Sequence, residues 1–473
     1  MVARLSHMKP LVALLLFAFW VQVALARWSS DPMLNFGVAI KPNEQVQPKI
    51  RPIQNGGCYI SWFDNNPDGQ PPFGYDVYLQ RLNDKGDPQF RAGGRLLADL
   101  GMSSTQDYGL EVDAEGNALL AFLDDRNGPD NVVTAVKVSP LGQMLWGRWG
   151  KHPGLGSDFK ANPKIAATSD GFVVIGWING SNLTFQRYNA AGEAQWGIDG
   201  ITVSAPNGTT YSLADLHGGE KGAAIFSFVS SAGFTGPKHL LANKLSPAGD
   251  LLWGTSHVAV FDGGSLQFGY FPPFVSDGSG GAVFGWYAVD PLQSRAQHIF
   301  ADGSEAFPHN GSLGSTDISR DQVNPSISYD AVSGSTYLFW DEILPGPFTN
   351  EGISAQKFDS TGGAQWGPTG VIVQPFTSSA IINVTSVYTS EGPLVAWSAE
   401  MAVSQDEILG AKLDPSGNAL CPPFAISSTL SSKSRLDLTF STTDRVLAVW
   451  SDGRFDGGDI FAQNVNPDCS LGR

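Results

Sequence analysis

Ile353-Ser354-Ala355-Gln356-Lys357-Phe358-Asp359-Ser360-Thr361-Gly362-Gly363-Ala364-Gln365-Trp366-Gly367 runs through an apolar alternating segment and a tight turn closed by glycine to a large ring four residues beyond that glycine. The same order recurs along the chain. Its turn residue is Gly86, Gly142, Gly192, Gly249, Gly303, Gly362 and Gly417, with Cys469 in the glycine's place at the end. Those numbers differ successively by 56, 50, 57, 54, 59, 55 and 52. The following large residue is Phe90, Trp146, Trp196, Trp253, Phe307 and Trp366. Glycine suits the turn because a tight connection between antiparallel strands takes positive φ. Recurrence at this period marks an array of one supersecondary unit.

Each unit holds four apolar segments of strand length and no stretch with helical three-four spacing. The first is introduced by Asn-Pro or Gln-Pro, as at Pro48, Asn162-Pro163 and Asn324-Pro325. The second is the most apolar and ends in a ring, as in Tyr59 to Trp62, Val173 to Trp177 and Val446 to Trp450, which implies burial on both faces. The third leads into the turn, and the fourth is short, as in Gly370-Val371-Ile372-Val373. Four antiparallel strands per unit of this length is the pattern of a β-propeller blade. The expected fold is therefore all-β, an eight-bladed β-propeller of four-stranded antiparallel blades. The last unit stops after its third strand, Ile460 to Val465, while Gly37-Val38-Ala39-Ile40 reads as a fourth strand with no blade of its own. The N-terminal strand is expected to complete the C-terminal blade, closing the ring and removing a frayed edge. A seven-bladed ring with one unit outside it is the rival arrangement.

Residues 1–26 carry Arg4 and Lys9, an apolar run from Leu11 to Leu25, and Ala24-Leu25-Ala26, the pattern of a cleaved secretory signal peptide. Residues 27–473 are then one exported propeller domain. The run falls short of the roughly 20 residues a spanning helix needs, so no membrane insertion is expected after cleavage. Removing two of 29 basic residues and none of 45 acidic ones leaves 18 negative charges in excess, a surface that repels phosphate backbones and argues against nucleic acid. Of the three cysteines, Cys421 and Cys469 share the turn region of the last two repeats and are the pair expected if a bridge forms; three buried unpaired thiols is the other reading.

Thirteen tryptophans invite a sugar-stacking role. Ten of them stand in register across the repeats, six ending the second strand and four following the turn, which points to packing between blades. Variable loops on a rigid frame are the usual place for binding. The loop after the second strand is acidic in units one, two and eight: Asp64 to Gly69, Asp124-Asp125 to Asp130, and Asp452 to Asp459 with Asp456 between. Asp64, Asp124, Asp125, Asp452 and Asp456 are the ligand-binding candidates of that sector. Asp64, Asn66 and Asp68 with Gly69 match the start of a D-x-[DN]-x-[DN]-G loop, for which calcium would be the cofactor, although position twelve is Tyr75 where a glutamate is wanted. The alternative is that these side chains cap hairpins through the backbone and form local ion pairs. Serine-elbow, H-E-x-x-H, C-x-x-C and phosphate-loop motifs are all absent, and no catalytic residue or cofactor is assigned from motifs.

Asp459-Ile460-Phe461-Ala462-Gln463, Gln356 through Trp366-Gly367, and Gly280-Gly281 through Trp286 resemble the tandem units of exported bacterial repeat proteins, written D-I-x-A-Q-x-L-D-x-x-G-x-x-x-W-G. That resemblance covers the mature chain and implies a propeller and export, with no assigned reaction. A weaker likeness is to the sialidase Asp box: Ser246 to Trp253 has three residues between glycine and tryptophan where the box has two, and Arg51 lacks matching arginine partners. The expected function is a secreted, monomeric, non-catalytic propeller binding a protein or glycan through its loop face. The alternative is a secreted glycan-cleaving hydrolase or lyase using carboxylates of that face.

Overall fold

The computed structural model describes residues 28–472 apart from 66–73, 103–106, 126–130, 155–157 and 347–349. The signal-peptide reading therefore lies outside the described residues. Eight antiparallel sheets follow one another, and their inner strands are neighbours in turn around a central axis: Gln45–Pro52, Gly109–Val112, Lys160–Ala167, Thr210–Gly218, Phe274–Ser276, Asp321–Asp330, Ala380–Thr389 and Lys433–Phe440. These define blades one to eight. Seven sheets have four strands; blade two has three among the described residues, with a single bridge from Ala135 to Lys151 in the outer position.

The ring closes within blade eight. Phe36–Ala39 pairs antiparallel with Asp459–Val465, in the register Phe36 with Ala462 and Ala39 with Ile460. Trp28, Phe36, Val38, Ile50, Ile60, Leu447 and Ile460 form one buried cluster across that seam. Both chain ends are thus held by apolar burial as well as by the ladder.

One belt of contacts repeats on the outer side. All seven turn glycines have positive φ, from 77° to 96°, and Cys469 takes 64° in the same place. Trp146, Trp196, Trp253 and Trp366 each donate Nε1–H to a carbonyl in the next blade's turn, that of Ala190, Pro247, Ala301 and Pro415, at 3.0 to 3.4 Å. A Cβ on Gly192, Gly303 or Gly417 would meet the preceding blade's indole within 2.7 to 3.1 Å, so the ring lies directly on the glycine. Cys421 stands four positions after Gly417 and is bonded to Cys469, the next turn residue, so a disulfide replaces the ring at that junction. At the seam Trp28 lies on Gly86. Cys58 is a free, buried thiol.

The Asn-Pro motif has a different place from the one its position suggests. Gln47, Asn162 and Asn324 lie inside the inner strands, with φ of 56°, 47° and 49°, at bulges where the register slips. Asn383 and Arg435 do the same without a following proline. Proline has no N–H for the ladder, and a bulge is where a strand can do without one.

Candidate functional site at the mouth of the axial channel

Because Gln45 pairs with Asp64, the start of the inner strand and the loop after the second strand share one face. Farther along, at and after the bulges, the inner strands line a cavity of about 400 Å³ on the axis. Charge lies on one arc of its wall. Blade one supplies Lys49 and Arg51, blade two Asp107, blade three Lys164, blade four Asp215, blade eight Arg435 and Asp437. A small adjoining pocket of about 30 Å³ shares Lys49, Arg51, Lys164 and Asp215 and adds Glu111 and His217. The opposite arc carries the exposed ring of Phe271 and Pro273 from the approach to blade five. At the matching bulges blades six and seven place neutral Ser326 and Thr385.

The charged arc is cross-linked between blades. Asp107 accepts from Lys49 Nζ at 2.7 Å through Oδ1 and from Lys164 through Oδ2. Burial opposes ionisation of Asp107, but the two ammonium groups outweigh it and hold its carboxyl well below the usual range. Arg51 reaches Asp437 at 3.4 Å, and the same carboxylate oxygen accepts from the Ile50 amide at 3.0 Å. Asp215 Oδ2 accepts from His217 Nε2 at 3.0 Å and from the Phe274 amide at 3.2 Å, while the His217 ring stands edge-on to Phe274. Tyr108, buried behind the lysines, donates to the Gln47 carbonyl at 3.0 Å.

Burial works against charge on His217, and the Asp215 carboxylate more than offsets it, so the imidazole pKa is raised. A group with a raised folded pKa contributes stability that is fully present below the unfolded value, about 6.5, and is lost as pH rises through the folded value. The imidazole resonances of His217 are expected to titrate above that value, and the midpoint should fall below it in Asp215→Asn. An unchanged midpoint in that variant would show that Asp215 is not the cause.

The acidic-loop candidates sit elsewhere. Asp64 is buried and accepts from Lys41 Nζ at 2.7 Å and Trp62 Nε1 at 3.4 Å. Asp124 is buried and accepts from Thr134 Oγ1 at 3.1 Å. Asp452 is buried between Arg454 at 2.6 Å and Lys433 at 3.3 Å, with Trp450 Nε1 and Ser431 Oγ donating to it. Asp125 is half-buried and Asp456 exposed, its Oδ1 accepting from the Gly458 amide. None of the five lines the axial cavity. Asn66 and Asp68 lie outside the described residues, and no group of three or more His, Cys, Asp or Glu among the described residues could hold a metal ion. Arg51 is the one axial charge that the sequence singled out. The others show locally only as alternate charges on an inner strand, Lys49-Ile50-Arg51 and Asp215-Leu216-His217.

The sequence matches no protein-family model and no curated protein. Among solved structures it is similar to the polysaccharide lyase Uly1, with a TM-score of 0.45 at 10% identity over 90% of this chain and 91% of that one. A PL25 ulvan lyase bound to a glucuronate–sulfated rhamnose unit gives 0.45 at 13% identity over 83% and 97%. An α-L-arabinanase of Penicillium chrysogenum with arabinobiose gives 0.41 at 10% over 93% and 96%. No activity passes to this chain from likenesses so distant. No helix among the described residues is long and apolar enough to cross a membrane.

Proposed function

We propose that this is an exported, glycan-directed propeller that takes an acidic saccharide at the mouth of its axial channel. One observation carries this: the same cavity offers a cationic arc, Lys49, Lys164, Arg51 and Arg435, facing an apolar arc of Phe271 and Pro273. A sugar bearing a carboxylate or sulfate needs both, ammonium or guanidinium donors for the oxyanion and an aromatic face for the ring's C–H surface. The signal pattern of residues 1–26 and the resemblance to exported repeat proteins support export.

Cleavage of that glycan is the second reading, favoured by the chemistry of the same wall. His217, whose pKa is raised by Asp215, stands where it could donate a proton to a leaving oxygen, and Glu111 is a carboxylate in the same small pocket adjoining the cavity. Lysines that neutralise a uronate carboxylate would also acidify the adjacent C–H for elimination.

The test is titration calorimetry of the mature chain against uronate-rich, sulfated and neutral polysaccharides. Binding should be confined to the acidic ones and weaken with salt. Equal binding of neutral glycans, or no binding at all, would overturn the proposal. New reducing ends or new ultraviolet-absorbing double bonds, lost in His217→Asn, would establish cleavage.

A further inference from the structure

We propose that the mouth contains an oxyanion subsite between Lys49 and Lys164, and that Asp107 occupies it as an internal stand-in that a ligand's carboxylate or sulfate displaces. The subsite deepens the reading above and rests on it only for the ligand being a saccharide.

The two lysines come from blades one and three and reach across blade two to one carboxylate, each taking one oxygen. That is how two ammonium groups clamp an oxyanion. Gly109 permits the approach, since a Cβ there would come within 2.8 Å of the Ile165 backbone nitrogen. The cations are set into the wall and the anion lies on the open side: Lys49 is 22% exposed, Lys164 12% and Asp107 42%. Asp107 is also held differently from its counterparts. Inner strands one and three begin at Gln45 and Lys160 and run through this level, whereas that of blade two begins at Gly109. Asp107 therefore precedes the ladder. Its remaining hydrogen bond among the described residues is from the amide of adjacent Tyr108, at 2.9 Å. Replacing Asp107 by a ligand oxyanion exchanges one carboxylate for another anion between the same cations, so no lysine is left buried without a counter-charge.

Sodium sulfate and glucuronate are the probes, read by calorimetry and by the shift in melting midpoint on wild type, Asp107→Asn, Asp107→Ser and Lys164→Met. Removing the internal competitor raises the competent fraction, so both Asp107 variants should bind at least about tenfold tighter than wild type. Lys164→Met should lose binding while keeping the wild-type circular dichroism spectrum. A folded Asp107→Asn or Asp107→Ser protein that binds no tighter than wild type, or Lys164→Met binding as well as wild type, overturns the subsite. Tighter binding of sulfate without any binding of glucuronate would uphold the subsite and remove the saccharide reading.

Discussion

Replacing Trp450 by alanine is expected to lower the free energy of unfolding by about 3–5 kcal/mol, the range for truncating a fully buried aromatic. The indole lies two residues before the end of the second strand of blade eight, has no exposed surface, and packs with Leu394, Ile408, Ile426 and Leu438 between blades seven and eight. Its Nε1 also donates at 2.8 Å to Asp452, so the substitution opens a cavity and strips a donor from a buried carboxylate. Trp366 offers the contrast: it is only partly buried on the outer belt, and its indole donates to the Pro415 carbonyl at 3.4 Å. Trp366→Ala should therefore cost about 1–2 kcal/mol, since a half-exposed ring loses less transfer energy and leaves a smaller cavity. Denaturant midpoints of the two variants measure the difference. A loss at Trp450 no larger than at Trp366 would contradict the assignment of the second-strand rings to interblade packing, and an accompanying loss of glycan binding in folded Trp366→Ala would restore a sugar-stacking role.

Asp452→Ala is expected to cost about 3–5 kcal/mol as well, because it leaves Lys433 and Arg454 charged, buried and without their shared counter-ion. Burial alone would push the Asp452 carboxyl up; Arg454 and Lys433 overturn that and hold it below the usual range. A depressed folded pKa contributes stability present above the unfolded value, about 3.9, and lost as pH falls through the folded one. The difference between wild type and Asp452→Asn should thus shrink in acid. The same network holds the N-terminal segment, since Arg454 donates to Asn35 Oδ1 at 3.1 Å and Asn35 donates to the Ile426 carbonyl at 3.0 Å. Loss of amide protection should begin at the junction of blades seven and eight. A variant of wild-type stability would mean Asp452 is no structural anchor and would return it to the set of functional carboxylates. Because Trp450 and Asp452 are in contact, the double variant should fall short of the sum of the two losses.

The burial of Asp64, Asp124 and Asp452 has a physical cause already present in the sequence. Each follows a buried ring by two residues, Trp62, Phe122 and Trp450, and side chains two apart on a strand share a face. A carboxylate in step with an interblade ring points between blades and must be paired there. Read as loop residues they look exposed; read as the last residues of the second strand they are buried anchors, which is where Cys58–Asn65, Ala118–Asp124 and Val446–Asp452 put them.

By itself the sequence determined the blade, the count of eight and the closure of blade eight by Phe36–Ala39, because turn glycine, apolar alternation and ring recur within one unit and depend on neighbours a few residues away. Only the tertiary structure decided the site. Lys49, Asp107, Lys164, Asp215 and Asp437 come one from each of five blades, each unremarkable in its own stretch of chain. Closing the ring brings those inner strands to a common axis, and charges far apart along the chain then face one another across a single cavity.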